Sequence, residues 1–432
     1  MADSARLRID ATFRHEAGRL VGALTRLLGD FDIAEEAVQD ALAEAVARWP
    51  AEGIPERPAA WLQTTARNRA IDRLRREARG REKLALIAAD PLRDLGAVPQ
   101  AEPDERLRLL FLCCHPALSA DAQIALTLRA VAGLTTAEIA SAFLTSEPTI
   151  SQRILRAKRK VAAARIPYRM PDEQLGERLP AVLAVLYLMF NEGYLTSHAD
   201  EPQRRWLQEE AEQLAELLTR LMPREPEPLG LLALMRLHLA RSRARFDDAG
   251  GIVRLRDQDR RRWDTAAIAR AIRLLRRAAS LGRPGPYQIQ AAILAVHAEA
   301  PCWEATDWPQ IVALYDLLLR HDDTPVVRLN RLIAVAATAG PQAALAEAEP
   351  LRDALAGYHL YHATRAELLR ALGRGPEADA AGRQALRLAG NPAERALITS
   401  RLADGLRPPV GGRPGAGACR WRPGGPFARL GM

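Results

Sequence analysis

Cysteine is scarce in this chain. Four residues (Cys113, Cys114, Cys302 and Cys419) among 432 cannot build a disulfide framework, and their spacing has no metal-ligand pairing. Aromatic residues make up only 5 % of the sequence, too few for a β-sandwich or barrel rich in strand formers. No segment approaches the roughly 18 consecutive apolar residues that cross a bilayer, and no charged-then-apolar leader opens the chain. Phosphate-loop, dinucleotide-binding and nucleophile-elbow motifs are all missing. These absences predict a soluble cytoplasmic protein with no membrane partner, no metal, no cofactor and no enzymatic activity of its own.

What the chain does hold is a large apolar fraction, 48 %, dominated by alanine and leucine, with helical periodicity almost throughout. Lys and Arg number 61 against 53 Asp and Glu, a net +8 that admits a polyanionic partner without proving one. Proline and glycine cluster at Gly29–Asp30, at Trp49–Pro58, between residues 81 and 103, around Pro167–Pro171 and after Pro408. Such clusters mark turns, linkers and a tail that cannot order itself. Late in the chain, Val326–Ala356 matches Tyr361–Asn391 at an offset of 35, pairing Gly340 with Gly375, Pro341 with Pro376 and Ala343 with Ala378. A period near 34 with small residues at helix crossings is the pattern of tetratricopeptide-type hairpins.

Two segments carry more specific chemistry. In Leu134–Lys160, Thr135 and Glu138 have capping-box spacing, so a helix starts there with Ile139, Ala140 and Phe143 on its buried side. A short turn then leads to a second helix whose buried positions are Ile150, Ile154 and Ala157. Thr149, Ser151, Gln152, Arg153, Arg156, Lys158 and Arg159 are expected outward, and no acid occurs between Thr149 and Arg165. Short polar groups and Gln/Arg at the start of a helix, followed by Lys/Arg, suit base edges and then phosphates. Upstream, Pro58–Arg76 combines a stripe of Trp61, Leu62, Ala66, Ile71 and Leu74 with an arginine face. The helix before it, Ile33–Trp49, presents acids and Gln39.

The order Ala34-Glu35, Val38-Gln39-Asp40, Trp49, Ala60-Trp61-Leu62, Ala66-Arg67-Asn68, Ile71-Asp72 and Arg75, then a linker and a helix-turn-helix, resembles the extracytoplasmic-function sigma factors of bacterial RNA polymerase. Leu109–Leu118 and Leu186–Tyr194 look like the subgroup with a long tetratricopeptide-like C-terminal extension. The resemblance implies an all-α chain: region 2 over 8–80, a linker over 81–103, region 4 over 104–167, a helical regulatory domain over 171–406, and a tail over 407–432. Glu35, Glu36, Gln39 and Asp40 would dock on the β′ clamp helices of core polymerase, and region 4 on the β flap. Pro50–Arg57 is similar to a loop that captures a flipped base. Arg57, Arg67, Asn68, Arg69, Arg73, Arg75 and Arg76 would hold the −10 promoter element, and Thr149, Ser151, Gln152, Arg153, Arg156, Lys158 and Arg159 the −35 element. The extension would take a protein or peptide ligand.

A helical-repeat regulator that binds DNA without polymerase is the competing reading, and the acidic helix argues against it, since only a sigma factor needs a core-docking face. His15-Glu16 lacks a second metal-binding histidine. Cys113-Cys114-His115 reads as buried structure, Asn191–Tyr194 as a hairpin turn, and His359 and His362 as repeat-face residues.

Overall fold

The computed structural model describes residues 16–76, 103–142, 145–164, 175–194, 205–247 and 251–405. The tail, nearly all of the expected linker, Phe143, Arg165 and the side chain of Arg76 lie outside them. Every regular element among the described residues is helical; the only pairing of extended backbone is an isolated bridge between Phe246 and Ile252. The chain divides into two compact units, residues 1–195 with 204–218, and the remainder.

In the first unit, α1 (residues 16–28) stops at Gly29, whose φ of +63° only glycine adopts without strain. Asp30 then caps α2 (Phe31–Glu52) by accepting a hydrogen bond from Ile33 N at 3.2 Å. The loop expected from Trp49 begins later than its prolines suggest. Helix α2 runs through Pro50 and ends at Gly53 (φ +87°), whose N–H donates to the Trp49 carbonyl. Pro50 removes one hydrogen bond in the last turn, beside the exposed Val46, where water can satisfy the freed carbonyl. Helix α3 (Pro58–Arg76) buries Leu62, Ala66, Ala70 and Leu74 completely, a four-residue spacing that makes one seam against α2. Trp61 and Ile71 are only half-buried; Trp61 meets Trp49 edge-on at 5.4 Å.

Four further helices follow: α4 (Pro103–Cys113), α5 (Ala120–Ala130), α6 (Thr136–Ala142) and α7 (Glu147–Ala163). The capping box is present: Thr135 N donates to Glu138 Oε2 at 2.7 Å, and Glu138 N donates to Thr135 Oγ1 at 3.2 Å. Helix α8 (Leu175–Tyr194) packs on α4 and α5, and inside the core Arg178 donates to the Phe111 carbonyl at 3.1 Å. It runs straight through Asn191-Glu192-Gly193, so the expected hairpin turn is absent. One glycine costs a helix only about 1 kcal/mol, less than the packing of a helix this apolar contributes. Helix α9 (Arg205–Leu221) supplies Glu210 to Arg106 of α4 as a salt bridge within the unit.

The second unit is a run of helical hairpins: α10 (Pro226–Leu239), a short α11 (Ser242–Arg245), α12 (Thr265–Ser280), α13 (Pro286–Glu299), α14 (Trp308–Leu318), α15 (Pro325–Ala339), α16 (Pro341–Ala348), α17 (His359–Ala371), α18 (Gly375–Leu388) and α19 (Pro392–Gly405). Helices α10 and α13 touch closely. A Cβ on Gly230 would sit 2.7 Å from Gln288 N, and Glu227 accepts from the Tyr287 and Gln288 amides at 3.0 and 3.2 Å. The repeat is real but shifted by one residue. Helix starts Pro325 and His359, and Pro341 and Gly375, fall 34 apart, as do the buried pairs Leu332/Ala366, Val335/Leu369 and Ala344/Ala378. At the 35-residue offset, exposed Ala346 would fall on buried Ala381. The identical Gly-Pro dipeptides, not the packing, suggested that offset. His359 faces Glu394 at 3.2 Å.

Candidate nucleic-acid interface

Helix α7 buries Ile150, Ile154, Ala157 and Val161, so every third or fourth residue is anchored and the opposite side faces solvent. Thr149, Ser151, Gln152, Arg156, Arg159 and Lys160 are exposed there. Ser146, at the N-cap, shares a hydrogen bond with Thr149 (Oγ to Oγ1, 2.8 Å) rather than capping a backbone amide, which fixes the entry of the helix. Gln152 Oε1 accepts from Arg156 Nη2 at 3.3 Å, pre-aligning two side chains of one stripe. An open groove of about 590 Å³ runs from this stripe to the start of α5, between Gln152, Arg156 and Lys160 on one wall and Ser119, Asp121 and Ala122 on the other.

Two expected reading residues stand elsewhere. Arg153 is half-buried and pairs with Asp121 at 3.4 Å, so it braces α7 on α5 instead of pointing outward. Lys158 is turned inward. Its Nζ lies 2.6 Å from Glu35 Oε2 and 3.1 Å from Asp32 Oδ1, with 11 % of the side chain exposed. Burial pushes the Lys158 ammonium pKa down, but the two carboxylates more than reverse this, leaving it above the ordinary lysine value.

Glu35 is correspondingly not on the outward face of α2. It is 3 % exposed, between Lys158 and Arg129, whose Nε donates to Glu35 Oε1 at 3.3 Å. The sequence carried a usable signal: Phe31, Glu35 and Val38 stand at i, i+4 and i+7, on the buried stripe itself. Asp40 is exposed and Gln39 half-exposed, as docking side chains would be. Glu36 reaches Arg73 at 2.5 Å and Glu44 reaches Arg69 at 2.6 Å, so α2 acids ride on α3 arginines. Arg69 holds the Glu44 carboxyl below its usual pKa, whereas burial lifts that of Glu36 against the pull of Arg73.

The arginine face of α3 therefore splits. Asn68, Arg69 and Arg75 are exposed, Arg67 and Arg73 half-buried, and Arg57 is exposed in the loop before α3, about three helical turns ahead of Asn68 and Arg69. Only Gly53–Arg57 remains irregular, which shortens the expected base-capturing loop.

Cys113 and Cys114 are fully buried, Cys114 Sγ 3.9 Å from Thr127 Oγ1, and burial pushes the Cys114 thiol up to about 12. Thiols so placed are not nucleophiles at neutral pH. Iodoacetamide at pH 7 should leave both unmodified in the native chain while half-exposed Cys302 reacts; peptide mass mapping that found Cys113 or Cys114 alkylated before unfolding would contradict this burial.

Three comparisons bear on this geometry. "Sigma-70 region 2" matches residues 12–80, which contain α1–α3, and "Sigma-70, region 4" matches 108–161, which run from within α4 to near the end of α7. The ECF RNA polymerase sigma factor SigK of Mycobacterium ulcerans (strain Agy99) is 30 % identical over 154 residues, 34 % of this chain and 80 % of that protein. The chain belongs to the extracytoplasmic-function sigma factors. Residues 178–279 match a family of unknown function (DUF6596). An uncharacterized protein of Rhizobium meliloti (strain 1021) is 46 % identical over 404 residues, 91 % of this chain and 95 % of that one. The likeness to that protein thus runs through both units of this sigma factor. No solved structure matches. Membership in this family implies binding to core RNA polymerase and to promoter DNA, and no helix among the described residues is long and apolar enough to cross a membrane.

Proposed function

We propose that this sigma factor reads the −35 promoter element with Thr149, Ser151, Gln152, Arg156 and Arg159 of α7. Arg153 and Lys158 serve that helix as brace and anchor. The observation that carries the reading is the anchored helix with a solvent-facing Gln152–Arg156 pair and no acid on the exposed stripe after its first turn. Region 4 is set to rest on the β flap, and the exposed Gln39–Asp40 edge of α2, with Glu36 beside it, on the β′ clamp helices. Arg57, Arg67, Asn68, Arg69, Arg73, Arg75 and Arg76 supply the −10 contacts, with Arg69 and Arg73 exchanging their α2 carboxylates for phosphates. The hairpins of the second unit, tetratricopeptide-like in period, act as a regulatory module that takes a protein or peptide ligand and sets initiation output.

The test is promoter choice. A bidentate base contact discriminates by about 1–3 kcal/mol, whereas a phosphate contact is blind to sequence. Gln152→Ala and Arg156→Ala should each change the ranking of single-base −35 variants in run-off transcription by roughly five- to a hundredfold at one position. Arg159→Ala should lower all promoters together and reduce the salt dependence. Equal loss on every −35 variant with Gln152→Ala or Arg156→Ala would remove α7's exposed stripe from base reading.

A further inference from the structure

Arginine in the second unit usually comes with an acid. Arg254 pairs with Asp257 at 2.5 Å, Arg328 with Asp323 at 2.6 Å, Arg331 with Asp316 and Glu347 at 2.7 and 2.6 Å, and Arg374 with Glu377 at 2.6 Å. Helix α12 breaks that habit. Ile268, Ala271, Ile272, Leu275 and Ala278 are its buried seam, and Arg270, Arg273 and Arg277 are exposed on the other side. These three side chains have no acidic partner among the described residues. The sequence offers none locally either, since no Asp or Glu occurs from Thr265 until Glu299.

Spacing of i, i+3 and i+7 puts the three guanidiniums in one row about 10 Å long. That length equals the axial rise of about three phosphates on one DNA strand. The remaining exposed positions of α12 are Thr265, Ala266, Ala269, Arg276 and Ser280, and no large apolar side chain is exposed on the helix. A protein partner, even an acidic one, generally needs a buried aromatic or aliphatic anchor at the centre of its contact. This face has only charge on a small-residue floor, which lets a phosphodiester backbone approach and suits the guanidinium fork. With no amide or paired acid to read base edges, such a row carries no sequence preference.

We propose that the Arg270–Arg273–Arg277 row of α12 is a second, sequence-independent DNA-binding surface that holds the backbone of duplex DNA. It goes beyond the regulatory reading of this unit and does not require α7 to be the −35 reader.

The experiment uses the full-length chain and a duplex of scrambled sequence without −10 or −35 elements, with binding followed by fluorescence anisotropy across a salt titration. Neutralising three phosphate contacts releases about 0.9 counterion each, so R270A/R273A/R277A should flatten the log–log salt slope by about 2–3. Affinity at low salt should fall at least tenfold. The triple Arg→Lys variant should keep the slope, because charge and not the fork supplies it. The triple Arg→Gln variant, which retains a long polar side chain on the same exposed positions, should behave as the alanine variant and guards against a folding artefact. An unchanged slope in both neutral variants overturns the proposal. So does a row that governs binding of polyglutamate but not of DNA. Failure of the α7 assignment would appear only with promoter-bearing duplexes, so the two outcomes are separable.

Discussion

Lys158→Met should raise the affinity of the full-length protein for core polymerase. In the closed arrangement Lys158 of region 4 lies 2.6 Å from Glu35 of region 2, and both side chains are nearly out of solvent. A chain reading elements named for positions −10 and −35 spans about 25 base pairs, or about 85 Å of duplex at 3.4 Å per step. The ion pair and that span exclude each other, so the pair must break before both regions engage a promoter. A hydrogen bond to a charged group contributes about 1.5–3 kcal/mol, which moves a closed-to-open ratio by about ten- to a hundredfold. When only the open form binds core, apparent affinity rises by up to the same factor. Gly18→Ala supplies an independent probe without touching charge. A Cβ there would lie 2.4 Å from the Val131 carbonyl oxygen, across the same contact between α1 and the end of α5. Helix propensity alone would make that change favourable by about 0.5–1 kcal/mol, but the clash, about 1–3 kcal/mol, opposes it. Both variants should lengthen the distance between fluorophores placed on α3 and α7. Wild-type distances and core affinity in both would mean that this contact does not hold the regions together.

The same contact marks the boundary of what the sequence discloses. The helix-turn-helix is legible because its signals are local: Thr135 and Glu138 are three residues apart, and Ile150, Ile154 and Ala157 repeat at helical spacing. The hairpin repeat is legible too, although a chance identity misplaces it. Gly340 ends α15 at φ +89°, whereas in the next hairpin the left-handed glycine is Gly373 (φ +73°), not the Gly375 that matches by eye. Glu35 fails for a different reason. Its place on the Phe31–Val38 stripe points inward, but its partner Lys158 is 123 residues away, and local charge patterning assigns an acid beside another acid to the solvent. Only the partner makes burial tolerable, because an unpaired carboxylate there would cost several kcal/mol. Arg153 is lost to the same logic through Asp121. Glu35, Lys158 and Arg153 are misplaced because an opposite charge distant in sequence sets their environment, and they join elements instead of facing outward.

Truncation should separate folding from regulation, and the cut position decides which is measured. A cut after Arg165, at the end of the region 4 resemblance, removes α8 and α9. Helix α8 lies on α4 and α5, and Arg178 satisfies the Phe111 carbonyl inside that core. Leu179, Val182, Leu183, Val185, Leu186, Met189 and Phe190 of α8 are all buried, and α9 adds Glu210 to Arg106, whose guanidinium pKa burial pushes down to about 10. Burying one such apolar side chain contributes about 1.5–3 kcal/mol, so losing even part of this cover rivals the 5–15 kcal/mol that stabilises a typical domain. The shorter chain is therefore expected to melt at least 10 °C lower, or to aggregate, and its loss of transcription would say nothing about regulation. A cut after Leu221 keeps α8 and α9 and should leave the melting of the first unit and its affinity for core polymerase within about twofold of the full chain. If that longer fragment transcribes every promoter at the full-length level with and without cell extract, the second unit has no regulatory role in initiation. If instead the fragment ending at Arg165 melts and binds core as the longer one does, α8 and α9 are dispensable to region 4 and the boundary lies where the resemblance alone places it.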